Sequence, residues 1–256
     1  MEQKEQGLPT RLAFPVIIES IFEIRFAPQQ GVADLLPGIL LTSFPEKPRV
    51  ERLPLADVPH QVRLMQPELA GQPVVRLVWD THSIFIGDGV LGIGCAIPYP
   101  GWNKFKAIIN TLMKSKTIHE TLPTPDRFSV KYVDFFRDSK FPGITNKLKL
   151  DIKIADENLI ESPITLRTER KMDDYICLME VHSHAHVSFT GPEESPPETG
   201  TIISFDLIKE SKDNQGWGSF LDVFDSSLEY LHNEGKNKFF GYLSPEVLKI
   251  LAPTYD

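Results

Sequence analysis

The chain has 256 residues and a formal net charge of −8, with 24% charged and 41% hydrophobic residues. This composition excludes a disordered, collagen-like or disulfide-scaffold protein, and the length allows one large domain or two small ones. The acidic balance argues against sequence-independent binding to DNA or to an anionic membrane, because such binding needs a net basic surface. The 21 prolines indicate many short elements separated by turns.

The first half opens with a predicted strand over residues 15–26, in which three apolar residues alternate with a face that carries Glu23 and Arg25. A helical apolar pattern follows over residues 31–44, although Pro37-Gly38 interrupts it. Further strands are predicted at residues 61–66, 74–80, 83–87 and 91–97. Residues 102–116 then have the periodicity of an amphipathic helix.

Residues 121–126 contain two prolines and mark the predicted boundary, because proline forbids helix and disfavours sheet pairing. Strands are predicted beyond it at residues 128–137, 149–154, 164–170, 175–189 and 201–209, with an acidic loop at 192–197. A second amphipathic helix is predicted from Trp217 to about residue 233. Ser244-Pro245-Glu246 is a helix start signal, with an N-cap serine, a first-turn proline and a first-turn acid.

The two halves, residues 1–122 and 123–256, share one element order: a strand, a linker, several strands and then a helix. Both long helices open on the same pattern, Trp102-x-x-Phe105 and Trp217-x-x-Phe220. We infer an internal duplication. The predicted fold class is α+β, with a large antiparallel sheet and helices packed on one face. This element order resembles the duplicated TATA-binding protein fold, a resemblance of architecture that implies nothing about function.

Several motifs also resemble those of a sporadically distributed, uncharacterised bacterial family whose members are of about this length. The residues that carry the resemblance are the Pro15 to Phe26 signature, the helix entry at 99–105, the strand at 128–134 and the C-terminal stretch 231–246. In the strand, Val130, Lys131 and Asp134 stand where the family has Leu, Arg and Asn. The resemblance implies a cytoplasmic protein of mobile-gene character with no catalytic residue to carry over. The patchy distribution of the family suits accessory proteins of defence systems, including CRISPR-linked loci.

His182, His184 and His186 alternate along one predicted strand, so their imidazoles are expected on one face. Imidazoles at this spacing can share a metal if a neighbouring strand supplies another ligand. The favoured interpretation is a solvated polar strand face, and a protein-contact or pH-sensitive face is a further alternative. The residues leave metal binding undecided, with these three histidines as the candidate ligands.

Other candidate chemistry is weaker. Residues 87–92 match the G-x-G-x-x-G pattern, but an alternating strand follows where a nucleotide site needs a helix. Cys95 and Cys177 lie in apolar strands and are expected to be reduced, buried thiols, which favours a cytoplasmic location. Lysines between 140 and 153 alternate with apolar residues, which favours a solvated strand face over a nucleic-acid groove. We therefore predict no catalytic residue and no cofactor.

The sequence thus favours a non-enzymatic accessory or protein-interaction protein that does not enter the membrane. Its partner is expected on the uncovered sheet face, at Phe128, Tyr132, Phe136, Glu23 and Arg25, because exposed aromatics on an open sheet indicate a partner. One alternative is a nucleic-acid-binding protein that uses the same face. A second alternative is a metal-dependent hydrolase that uses the histidine strand. The oligomeric state is left open.

Overall fold

The computed structural model describes residues 7–43, 46–95, 97–189, 196–211 and 216–255, with the side chains of residues 42 and 43 left out. Most of the predicted acidic loop at 192–197 lies outside the described residues. The chain forms two compact units. One contains Met1–Ile18, Tyr132–Leu207 and His232–Asp256, and the other contains Glu19–Lys131 and Ile208–Leu231. We call them unit 1 and unit 2.

The strands are β1 (Arg11–Leu12), β2 (Ile17–Arg25), β3 (Arg49–Arg52), β4 (Pro73–Val78), β5 (His82–Gly87), β6 (Val90–Cys95), β7 (Arg127–Arg137), β8 (Lys153–Ile154), β9 (Glu157–Asn158), β10 (Thr165–Lys171), β11 (Ile176–Val187), β12 (Glu198–Glu210) and β13 (Pro253–Thr254). The helices are α1 (Val32–Ser43), α2 (His60–Met65), α3 (Pro67–Ala70), α4 (Trp102–Met113), α5 (Lys116–Thr121), α6 (Trp217–Tyr242) and α7 (Pro245–Leu251), with 3₁₀ turns at Pro54–Asp57 and Ile144–Lys147. Among the described helices, none is long and apolar enough to cross a membrane.

Nine strands form one open antiparallel sheet in the order β10-β11-β12-β7-β2-β6-β5-β4-β3, which confirms the predicted α+β class. On one side of the centre, β2 lies beside β6, the last strand of the run β4-β5-β6. On the other side, β7 lies beside β12, the last strand of the run β10-β11-β12. In both predicted halves, the first long strand, β2 or β7, therefore lies beside the last strand of the three-stranded series that follows it in the sequence. This shared order supports the duplication hypothesis.

In unit 2, one face of the sheet is the apolar core. Phe22, Ile93, Ile84 and Leu77 are partners in register across β2, β6, β5 and β4, and all four are buried. The ring of Phe22 contacts Phe224 of α6 edge-on, with ring centroids 5.7 Å apart. Phe224 of α6 thus packs against β2, the strand that the first sequence motif predicted.

In unit 1, the same long helix continues over β7 and β12. Phe136 stacks on Phe239 of α6, and Phe205 contacts Tyr242. The Tyr132 hydroxyl lies 2.8 Å from Nδ1 of His232, also on α6. Ser244 caps α7 by accepting a hydrogen bond from the Val247 N–H at 3.3 Å, so the predicted start signal is confirmed.

Two predicted strands are wrong. The predicted strand at residues 61–66 is instead mostly helical, because α2 covers residues up to Met65, and within it Arg63 is buried with its guanidinium bonded to the Val58 carbonyl and to Asp88. Between residues 149 and 154 the chain pairs only over Lys153–Ile154, and Ile154 is exposed. In contrast, α1 continues through Pro37, because Val32, Leu36 and Leu40 bury its apolar stripe.

The two long helices begin in the same way. Gly101 and Gly216 precede α4 and α6 with φ angles of 89° and 99°. In each helix the first-turn phenylalanine donates its N–H to that glycine's carbonyl, at 3.1 Å for Phe105 and 3.2 Å for Phe220. The tryptophan and phenylalanine rings of each entry meet edge-on. The shared motif therefore extends to a glycine at a backbone conformation that other residues rarely adopt.

Candidate functional site

The face of unit 2 opposite the Phe22 row carries a second row of residues in register. Glu23, Gly92, Phe85, Arg76 and Glu51 are successive partners across β2, β6, β5, β4 and β3. Residues directly opposite each other in an antiparallel pair project to the same face of the sheet. The side chains of this row remain partly exposed, unlike those of the core row.

Charged groups of both signs surround one aromatic ring on this face. The Arg76 guanidinium lies 5.2 Å from the centre of the Phe85 ring, which is a cation–π contact. Glu51 lies beside Arg49 and Arg76, with closest atoms 2.7 Å and 3.8 Å apart. The mixture of signs leaves the surface around the ring close to neutral.

At the other end of the row, Arg25 is held by two partners. Its Nε lies 2.5 Å from the Glu23 carboxylate, and its Nη1 donates to the Gly71 carbonyl at 2.9 Å. The side chains of Arg25 and Glu23 are 29% and 27% exposed. Both predicted interaction residues of the first strand therefore lie on this face and remain accessible.

Two glycines of β6 shape the surface beside the ring. A Cβ added to Gly94 would lie 2.8 Å from Cε2 of Phe85, so the ring lies against bare backbone. Gly92, the direct partner of Phe85, likewise has no side chain between the ring and Glu23. We name Ile21, Glu23, Arg25, Phe85, Arg76 and Glu51 the open face of unit 2. It consists of partly exposed side chains, with the Phe85 ring at its centre and charged groups around it.

The prediction that Phe128, Tyr132 and Phe136 form an interaction surface is wrong. All three are buried, at 3%, 8% and 0% exposure. The Phe128 ring contacts Phe224 of α6, and the contacts of Tyr132 and Phe136 are also with α6. Alternation placed the three on one face of β7 correctly, but that face is the one that the helix covers.

Phe85 is the residue that the sequence interpretation missed. It lies within the apolar run Ile84-Phe85-Ile86, which gave no reason to prefer one face. The hairpin between β5 and β6 supplies the missing signal, because its register sets the ring opposite Gly92.

The histidine strand departs from the expected regular alternation. His182 pairs with Thr165 inside the sheet, but His184 has a φ angle of 57°, which interrupts the extended backbone before His186. The Ser183 hydroxyl accepts from the Ile164 N–H and bonds to the Ser162 carbonyl. Within residues 7–43, 46–95, 97–189, 196–211 and 216–255, no group of three or more His, Cys, Asp and Glu side chains is placed to hold a metal ion.

The glycine-rich turn at residues 87–89 holds a buried ion pair. The Asp88 carboxylate accepts from Arg63 Nε at 2.8 Å and Nη2 at 3.4 Å, and both residues are buried. The Arg63 Nη1 donates to two carbonyls, at 2.7 Å for Val58 and 3.2 Å for Leu55. His60 Nε2 lies 3.5 Å from the same carboxylate. The turn thus anchors the 54–65 segment to the hairpin.

Other buried titratable groups are inert as nucleophiles. Burial raises the pKa of the Cys95 thiol to about 11, and burial also raises the pKa of Cys177. Both cysteines are free and buried, so neither is a thiolate near neutral pH. Burial raises the pKa of Asp134 to about 8, which keeps this carboxyl largely protonated at pH 7.

No protein-family model matches the chain, and no curated protein matches it.

Proposed function

We propose that this protein is a non-enzymatic interaction protein that binds a protein partner through the open face of unit 2. The observation that carries the proposal is Phe85, a partly exposed ring beneath Arg76 in the middle of a row of charged residues. Aromatic and arginine side chains are the types most enriched where binding energy concentrates in protein interfaces. A row of partly exposed side chains along one sheet face fits a broad contact with a protein surface.

The charges on the open face favour a protein over a nucleic acid. Glu23 is paired with Arg25, and Glu51 lies beside Arg76 and the neighbouring Arg49, so the face offers acceptors as well as donors. A phosphate backbone would meet repulsion from the two carboxylates. A protein surface with its own mixed charges and an apolar centre is the complementary partner.

The test places a photo-crosslinking benzoylphenylalanine at Phe85 in cells of the source organism. A matched control carries the same group at Val223, an exposed position on α6. We expect one protein to be captured from Phe85 and not from Val223. The purified partner should then bind the wild type at least tenfold more tightly than Phe85→Ser, and a Val223→Ser variant should bind like the wild type. Equal capture at the two positions contradicts the proposal.

Nucleic-acid binding is the second candidate, and the Arg76–Phe85 pair also favours it, because bases stack on aromatic rings and guanidinium planes. Fluorescence anisotropy with single-stranded RNA and DNA at about 50 and 200 mM salt separates the two candidates. Tight binding that falls steeply with salt and disappears in Phe85→Ser would favour the nucleic acid. The histidine strand supplies no comparable observation for a hydrolase.

We further infer that the protein acts in the cytoplasm, as an accessory component of the kind that the family resemblance implies. The free, buried thiols of Cys95 and Cys177 support a reducing compartment. The resemblance in residues 15–26, 99–105 and 128–134 supports a bacterial defence context. The genes that neighbour this one test the second inference, since a defence locus would contain nucleases or their regulators.

A further inference from the structure

The edge strand β10 presents unused backbone hydrogen-bonding groups. It stands at one end of the nine-stranded sheet and pairs only with β11, in an unbroken register from Thr165↔His182 to Lys171↔Ile176. The Ser183 N–H donates to the Ile164 carbonyl at 2.9 Å, and the Met172 N–H donates to the Tyr175 carbonyl at 2.8 Å. Even-numbered residues of the strand therefore bond to β11. The backbone groups of the odd-numbered residues point outward.

The outward positions are Thr165, Arg167, Glu169 and Lys171, and all four are exposed. Among the residues that the structure describes, none bonds to their backbone groups. The strand contains no proline, glycine or bulge. An edge strand that is seven residues long, regular and exposed is a template for pairing with another strand.

The sequence of β10 is complementary to itself. In an antiparallel pair of two copies centred on Thr168, Arg167 of each chain is opposite Glu169 of the other. Thr165 is then opposite Lys171, and on the other face Leu166 is opposite the aliphatic stem of Arg170. Glu180 already lies beside Arg167 within the chain, at 3.4 Å, so each arginine would sit between two carboxylates. Opposite charges directly across a strand pair stabilise it.

Other registers are less favourable. The outward backbone groups belong to odd-numbered residues, so odd residues must face odd residues across the new pair. A pair centred on Arg167 sets that residue against its own copy. A pair centred on Glu169 opposes two glutamates and also sets Arg167 against Lys171. The register centred on Thr168 gives the longest overlap and opposes no like charges.

We propose that a second copy of this chain pairs with β10 edge to edge, forming a two-fold dimer whose axis passes through Thr168. No residue of β10 belongs to the open face of unit 2. A single strand pair buries little surface, so the dimer is reversible and its fraction rises with protein concentration. Its exposed ion pairs are screened by salt, so the dimer weakens as ionic strength rises.

A charge-exchange experiment tests the register. In a dimer of the Glu169→Arg variant, Arg167 of each chain would lie opposite the introduced arginine of the other chain. In a dimer of the Arg167→Glu variant, Glu169 of each chain would likewise lie opposite the introduced glutamate. We expect each variant alone to sediment as a monomer at concentrations where the wild type is largely dimeric. An equimolar mixture of the two variants restores both opposite-charge pairs and should sediment as a heterodimer. The circular dichroism of each variant checks that it is folded.

Disulfide trapping provides a second measurement. Thr168 meets its own copy in a non-hydrogen-bonded pair with Cα atoms about 4.5 Å apart, a separation that a disulfide can span. Thr168→Cys should therefore give a covalent dimer on mild oxidation. Thr165→Cys is the control, because its two copies would lie about 20 Å apart along the strands. The native thiols, Cys95 and Cys177, are buried.

Three results would overturn the proposal. The first is a wild type that remains monomeric across the whole concentration range. The second is a dimer that persists unchanged in Glu169→Arg and Arg167→Glu. The third is equal crosslinking of Thr165→Cys and Thr168→Cys. If no protein were captured through Phe85, the measured dimerisation through β10 would not change, so the two proposals can be rejected independently.

Discussion

Asp134 shows how a single buried carboxyl affects the stability of this protein. The residue is 3% exposed within β7, and alternation along the strand places it on the same face as Tyr132 and Phe136. Burial raises its pKa to about 8 from an ordinary value of 3.8. Between these pH values the folded protein holds a proton that the unfolded chain has released. The folded state therefore becomes less stable as pH rises through this window, and no further loss occurs above it.

Asp134→Asn removes this proton linkage. We expect the variant to gain stability relative to the wild type as pH rises from about 4 to 8, with a slope of up to about 1.4 kcal/mol per pH unit. Urea unfolding at several pH values measures the difference. Asp173→Asn, at an exposed turn, is the control and should show no such slope. A difference between Asp134→Asn and the wild type that is constant with pH would contradict the prediction.

At the scale of elements, the sequence correctly predicted those helices and strands whose signal lies within the element itself, either as a periodic pattern of apolar residues or as a capping residue. The stripe of α4, the alternation of β7 and the serine cap of α7 are of this kind. The segment at residues 61–66 is different, because its only buried side chain is Arg63, whose carboxylate partner lies 25 residues away. Its helix depends on a contact that a local pattern cannot reveal.

The same limit applies to the site. Alternation separated Phe128, Tyr132 and Phe136 from Val133 and Phe135 correctly, but both sets are largely apolar. Which face a helix covers depends on where α6 packs, and Phe135 on the second face is also buried. Glu23 and Arg25 were placed correctly, because charged residues in an alternating strand avoid the core.

The glycines at the two helix entries offer a test of backbone strain without side-chain clashes. Gly101 has φ and ψ of 89° and 156°, and Gly216 has a φ of 99°. A Cβ at either position meets nothing within 4 Å. Alanine at each should therefore cost about 1–3 kcal/mol, and the whole cost is conformational.

Gly218→Ala is the matched control for these two variants. Gly218 lies inside α6, a Cβ there also meets nothing within 4 Å, and its φ is not in the left-handed region. We expect this variant to stabilise the protein by up to about 1 kcal/mol, since alanine favours helix over glycine. Denaturant unfolding of the three variants measures all the effects. A neutral Gly101→Ala would show that the entry does not require glycine.

At the scale of the whole molecule, the two compact units do not follow the predicted halves. Unit 2 takes Glu19–Lys131 and then Ile208–Leu231, and unit 1 takes the remaining segments. The order of strands in the sheet is consistent with the duplication hypothesis. The first part of α6, which belongs to the second predicted half, nevertheless lies in unit 2 together with most of the first half. Because α6 contributes residues to both units, a cut at residue 122 would remove part of unit 2.

We therefore predict that residues 1–122 do not fold alone. The fragment lacks four buried side chains of α6 that belong to unit 2, namely Phe220, Phe224, Leu228 and Leu231. Each fully buried side chain of this size contributes about 1.5–3 kcal/mol, and together they approach the roughly 5–15 kcal/mol that stabilises a typical domain. The ring of Phe22, which contacts Phe224, would be left exposed. We expect the fragment to unfold without a cooperative transition or to aggregate.

A chain that joins Glu19–Lys131 to Ile208–Leu231 through a flexible linker contains all the residues of unit 2. We expect this chain to unfold cooperatively in urea, because the helix segment restores the apolar cover of the Phe22 row. Replacing Phe224 with Ala in the same chain should cost about 3–5 kcal/mol and remove most of that transition. Cooperative unfolding of residues 1–122 alone would instead show that the first half holds its own core, and the long helix would then only add to a domain that is already complete.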